Sequence, residues 1–258
     1  MYSNLHHIIK PFFLLFFYCG FAQQPSESFK IDYADARFEG NIVKDYTLFF
    51  DDKSALYIEK KVDRQKDKVT QEEANTTILI DSRSNKTPNF YFKYKDELYC
   101  RIVNYSDALL MKDLPYTIDW DISHEATKNI EGYLCKKATA SFRGNNYQVW
   151  YTPEIPTSFG PWKLHGLSGA ILEVYTDNDV IHIVATKIEK VKDDNTLLEH
   201  QNQDYSQALS YEEYRLKVDE LAEAFLKKIS ARMPKGTKPL TIDKNCTDCG
   251  PRLEVYEK

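Results

Sequence analysis

Positive charge is the first thing this chain has little of: 34 Lys+Arg stand against 39 Asp+Glu over 258 residues. Without a basic excess there is no electrostatic footprint for nucleic acid. Long apolar runs are equally scarce. One occurs at the N-terminus and none follows, so the remainder holds no transmembrane segment. The histidines after the leader (His124, His165, His182 and His200) show no pair at i,i+3 or i,i+4, which excludes a helical metal motif. Cys246 and Cys249 form one closely spaced pair but lack the second pair a zinc ribbon needs. No nucleophile-elbow pattern surrounds Ser168, and no internal repeat is visible. No cofactor and no metal site is expected from this inventory.

The apolar N-terminal run, PFFLLFFYCGFA behind Lys10, is too short to span a bilayer, which takes about 20 residues. It has the length and flanks of a secretory signal, with Gly20 and Ala22 as small residues at the −3 and −1 positions of a cleavage after Ala22. Lipidation at Cys19 is the alternative, disfavoured by the bulk of Phe17 and Tyr18. Residues 1–22 are therefore read as a signal peptide, residues 23–235 as one β-rich domain, and residues 236–258 as a polar tail carrying the cysteine pair. The exported chain would be periplasmic, outer-membrane-associated or secreted.

What is present in quantity is the aromatic residue, 14% of the chain, which favours strands. Strand-like runs occupy 29–38, 46–52, 54–61, 76–82, 89–95, 98–104, 133–143, 146–153, 170–176 and 180–191, with a further strand or turn at 116–123. Short polar links between several of them predict hairpins, among them Gly144-Asn145 and Asp177–Asp179. The charged stretch 63–75 reads as an exposed loop. One helix is predicted over 211–231. Ser210 and Glu213 form a capping box, and Tyr211, Tyr214, Val218, Leu221, Phe225 and Ile229 recur on one face. Pro234 and Gly236 end it. The fold class is mainly β: a large twisted antiparallel sheet or half-barrel with one C-terminal amphipathic helix packed on it. A two-sheet β-sandwich is the alternative.

The stretch from Trp150 to Val174 is the most constrained. Pro153, Pro156 and Pro161 with Gly160, Gly166 and Gly169 enforce one backbone path, while Trp150 and Trp162 supply rings to bury. Trp150, Phe159, Trp162, Leu164 and His165 are the candidate binding residues, lining the mouth of a curled sheet or else plugging its end. Three functions fit. The first is a non-enzymatic protein binding a hydrophobic or peptide ligand or an outer-membrane partner. The second is thiol-redox or metal handling through Cys246 and Cys249, although Pro251 and the extended residues after it offer no helix N-terminus to lower a thiol pKa. The third is a hydrolase using Ser168 and His165 with Asp119, Asp121 or Glu154. Cysteines Cys100, Cys135, Cys246 and Cys249 are disulfide candidates; three pairings are open, and Cys100–Cys135 with Cys246–Cys249 is favoured.

The segments GYLCKKA (132–138), SFRG (141–144), WYTPEIP (150–156) and GPWKLHGLSG (160–169) resemble the GLPGLI family, whose hexapeptide stands here as GLSGAI (166–171). Ser168 and Ala170 depart from the family pattern while both glycines match. The resemblance implies an exported, β-rich protein of the Gram-negative envelope with no assigned activity and no catalytic residues to carry over.

Overall fold

The fold is given by a computed structural model that describes residues 28–38, 42–60, 87–105, 107–191, 195–234, 236, 238, 240 and 253–254. The signal segment with Cys19, the loop 63–75, the run 76–82 and the pair Cys246/Cys249 lie outside the described residues.

Eleven strands form a single antiparallel sheet. In chain order they are β1 (Ser28–Arg37), β2 (Ile42–Phe50), β3 (Ser54–Glu59), β4 (Phe90–Tyr94), β5 (Glu97–Asn104), β6 (Asp107–Lys112), β7 (Thr127–Ile130), β8 (Tyr133–Phe142), β9 (Asn145–Thr152), β10 (Ala170–Thr176) and β11 (Ile181–Val191). Their spatial order is β6-β5-β4-β3-β2-β1-β11-β10-β9-β8-β7. Two meanders, β1–β6 and β7–β11, therefore meet where β1 pairs with β11. Consecutive strands joined by tight turns build each meander, and the long β1–β11 pairing joins them. At the β8–β9 turn both Arg143 (φ 46°) and Gly144 (φ 79°) adopt positive φ. That is the type I′ geometry that matches strand twist, one residue earlier than the sequence suggests.

Register explains why this side of the sheet is buried. Ile31, Leu48, Tyr57, Tyr91, Cys100 and Met111 are successive cross-strand partners from β1 to β6, and all but the half-buried Tyr91 are buried. Partners share a face, so one apolar row crosses six strands. The opposite face of β3–β5 buries Leu56, Phe90 and Phe92 under a short helix, α1 (Thr196–Gln201), whose Leu197 joins that cluster.

An open sheet of this width must curl, and one contact measures how far. Asp113 directly follows β6 and Arg143 directly follows β8. Nine strand spacings separate those strands, about 43 Å in a flat sheet, yet Arg143 Nη1 lies 2.9 Å from Asp113 Oδ2. The observed architecture is thus the expected large antiparallel sheet, curled but not closed; the sandwich alternative does not form.

The predicted helix is α2 (Tyr211–Ser230), with its capping box formed. It packs along the β6 end. Asn104 Nδ2 donates to Tyr214 Oη at 3.0 Å, and Phe225 meets Tyr105 at 4.9 Å. Just before α2, Leu209 bonds backbone-to-backbone with Leu110 and Lys112, which covers part of that sheet edge. Strands β6 and β7 and helix α1 were not predicted. Segment 116–123 is irregular, with one bridge from Asp121 to Thr139.

The Cys100–Cys135 disulfide is corrected. Both are free, buried thiols, on β5 and β8, eight places apart in the sheet. Pairing them in the sequence rested on strand-like surroundings, which carry no distance information.

Candidate functional site

The connector between β9 and β10 fills the inside of the curl. A buried loop must bond its own backbone, and this one does. Gly160 N donates to Leu164 O (2.9 Å), Gly166 N to Ser158 O (2.8 Å), Gly169 N to Thr157 O (2.8 Å) and Ala170 N to Ile155 O (3.1 Å). The glycines answer to space as well as to φ. At Gly169 (φ +154°) a Cβ would stand 2.3 Å from Thr152 O, and at Gly160 it would stand 2.8 Å from Ile171 Cδ1. Trp162, Leu164 and Leu167 are buried in the main core. The Arg37 guanidinium lies 4.8 Å from the Trp162 ring. Arg37 is itself paired with Asp35 through a second contact of 2.8 Å, and Asp35 also accepts from Tyr57 Oη at 3.0 Å.

Of the candidate binding residues, the structure brings Phe159, Trp162 and Leu164 together over one cleft. Tyr57, Tyr91 and Lys93 form its floor; Tyr116, Trp162 and Lys163 are among the groups that roof it. Its free volume is about 10 Å³, room for about one water, far below the roughly 300–1,000 Å³ of typical small-molecule sites. His165 lies beside it, its ring 5.0 Å from Tyr116. Its Nε2 is buried without a hydrogen-bond partner among the described residues. Burial foremost, then the nearby Lys93 charge, holds its pKa down at about 4.

Four charged side chains lock the connector in place. Arg143 bonds both Asp113 oxygens (2.9 and 3.1 Å) and reaches Glu254. Lys163 Nζ lies 2.8 Å from Asp113 and 2.7 Å from Glu254. The Asp113 and Lys163 side chains are 0% and 1% exposed. Burial alone would raise the Asp113 carboxyl, but Lys163 and Arg143 outweigh it and hold the group below its ordinary range. Two cations against two anions leave this network neutral, as burial demands.

Trp150 is not in the connector cluster. It lies on β9, paired across with Lys137 on β8 and Glu173 on β10. The Lys128 ammonium lies 5.7 Å from its ring and forms an ion pair with Glu173. His182 Nε2 is 3.6 Å from the other Glu173 oxygen, and its ring meets Tyr175 at 6.2 Å. The Glu173 side chain is 11% exposed while His182 is 55% exposed. Half-buried aromatic rings, a fixed carboxylate and an accessible imidazole thus share one sheet surface. Apart from Trp150, sequence reasoning missed this set. Its only signal was alternation along β10 and β11.

The hydrolase constellation is not assembled. Ser168 is exposed and makes no hydrogen bond to His165 among the described residues. Asp121 accepts from Ser123 and faces His124, while Glu154 accepts from the Leu134 amide.

A family model described as "N-glycanase peptide, N-terminal domain" matches residues 31–213, from β1 into the first turn of α2. Two solved structures of PNGF-II, in space groups P21 and C2, are similar at 18% identity, with TM-scores of 0.47 and 0.45. Each similarity covers 72% of this chain, which spans only 31% and 30% of those chains. No curated protein matches. The match overturns the resemblance to GLPGLI proteins and, with it, the reading of a non-enzymatic envelope protein of that type. The physical reason lies in the connector: GLSGAI is the turn that lets Gly169 pass Thr152 and enter β10, and such a turn reports local geometry rather than lineage. The chain belongs to the family of N-glycanase peptide N-terminal domains.

Proposed function

We propose that this chain acts in the removal of N-linked glycans from peptides, as the part that grips the glycosylated substrate. The observation that carries this reading is the family match, which spans most of β1, all of β2–β11 and the connector. The outer surface of β8–β11 supports it. Sugar rings present C–H faces that lie on aromatic rings, and hydroxyls that bond carboxylate and imidazole groups. Trp150 and Tyr175 supply the rings; Glu173 and His182 supply the polar partners. Removal of residues 1–22 on export, leaving one domain over 23–235 and a separate tail, completes the proposal. An N-terminus at Gln23 in the mature protein is its check.

The test is surface plasmon resonance on an immobilised N-glycopeptide and on the same peptide without its glycan. Binding at least ten-fold tighter to the glycopeptide, lost in Trp150→Ala and in Glu173→Gln, is the expected result. Equal binding to both peptides, or to neither, would refute it.

A further inference from the structure

One member of the buried charge network is not built in as the others are. Asp113 follows β6, Arg143 lies in the β8–β9 turn and Lys163 in the connector. Glu254 arrives from outside the sheet, 91 positions after Lys163. Its side chain is 15% exposed against 0% for Asp113. Leu253 beside it packs on the main core while remaining half-buried, and its carbonyl accepts from Asn145 Nδ2 at 3.0 Å. Asn178 Nδ2 in turn donates to Asn145 Oδ1 at 2.8 Å.

Leu253 and Glu254 are thus held as a bound peptide is held. Neither makes a backbone-to-backbone hydrogen bond to the described residues, and neither belongs to a strand. Among the described residues, one apolar side chain, one carbonyl and one carboxylate fix the pair in place. The carboxylate position carries the selectivity. Asp113 matches one of the two cations, so a second anion is required beside Arg143 and Lys163, and a neutral occupant would leave buried positive charge unmatched. A segment fixed through side chains, and reached by solvent at its carboxylate, opens more readily than the strands around it.

We propose that the seam between the β6 end and the β8–β9 turn is a peptide-binding groove, occupied in cis by Leu253–Glu254 and open to a partner segment of the same chemistry when that strap leaves. The partner is an extended peptide presenting a leucine-like residue followed by a carboxylate. Its apolar side chain meets the core, its carboxylate bridges Arg143 and Lys163, and Asn145 binds the carbonyl between them. The space such a segment needs is the space the strap itself fills. Tethering gives the strap a high effective concentration, so a free peptide competes well only once the strap is weakened. The groove shares no residue with the glycan-gripping surface and does not rest on that reading.

Fluorescence anisotropy of a labelled synthetic peptide of residues 250–258, titrated with the full chain, tests this. The parent chain is expected to bind it weakly. Glu254→Gln in the chain, which loosens the strap, is expected to raise the affinity by about ten-fold or more. Leu253→Ser, which keeps all four charges, is expected to raise it as well, each variant first shown to be folded by near-UV circular dichroism. The peptide with its own Glu254→Gln change is expected to bind neither chain. Alkylation followed by peptide mass mapping gives a second readout at Cys100, a buried thiol on which all four network charges act. It should be modified faster in both variants and slowed again by the peptide, while the buried Cys135 is unaffected. Affinity no higher in the folded variants than in the parent, equal binding of the altered peptide, or equal acceleration at Cys135 would overturn the proposal.

Discussion

The inside and the outside of this curled sheet use the same residue types for opposite ends. Each holds a tryptophan beside a cation and a nearby carboxylate. Inside, Trp162 lies under Arg37, and the connector that carries it is tied by the buried Asp113–Arg143–Lys163–Glu254 network. Outside, Trp150 lies under Lys128 next to Glu173 and the exposed His182. Burial makes the difference. In the interior every charge must be matched, and the match fixes chain segments far apart in sequence. At the surface, water screens the same pairs, so they stabilise little and remain available to a ligand.

Breaking the interior network should give the largest effect. Arg143→Met leaves Asp113 and Glu254 short of a cation, and unfolding by urea should show a loss of about 3–5 kcal/mol. Trp162→Ala removes a core ring and should cost a similar ~3–5 kcal/mol. Trp150→Ala should cost clearly less in the same measurement while abolishing glycopeptide binding. Equal stability losses from the two tryptophans would break the contrast between the faces.

The third test uses pH. His165 is held neutral by burial, with its pKa at about 4 in the folded state against an ordinary value of 6.5. Between those values the unfolded chain binds the proton and the folded chain does not, so stability should fall as pH drops from about 6.5 towards 4. The expected loss is on the order of 2 kcal/mol, reduced from the full shift because the ring is partly solvated. Urea midpoints at pH 7.5 and pH 5 should differ less in His165→Gln than in the parent chain. An unchanged pH slope in that variant would show that other groups carry it. The smallest effect is expected at the surface: Lys128→Ala should change stability by less than about 1 kcal/mol, read by thermal melts.

Much of the strand layout was legible because its signals are local. Strands β8 and β9 alternate around a Gly-containing turn, and the Ser210/Glu213 box marks the start of α2 within a residue. The missed strands have physical excuses. Thr127–Ile130 is four residues with three exposed, and Asp107–Lys112 is an outer strand with two exposed residues at its start. Such outer strands lack the apolar alternation that a central strand shows. The cysteine pairing failed for another reason, since only the three-dimensional path says how far β5 stands from β8. The connector was recognised as stiff, with lining a mouth and plugging the end of the sheet both left open, and the structure puts Trp162, Leu164 and Leu167 in the core. The family was misread from its glycine turn, which any chain making the same tight passage beside a strand would need.

By itself, then, the amino-acid order determined the strands, their tight turns, the capped helix and the rigid connector, because each depends on neighbours within a few residues. Tertiary structure alone decided which surface of the sheet faces inward. It also decided that residues 113, 143, 163 and 254 meet, and that the connector between β9 and β10 fills the curl. Those outcomes depend on how far an eleven-stranded sheet curls, a quantity summed over the twist of every strand pair and written in no single segment.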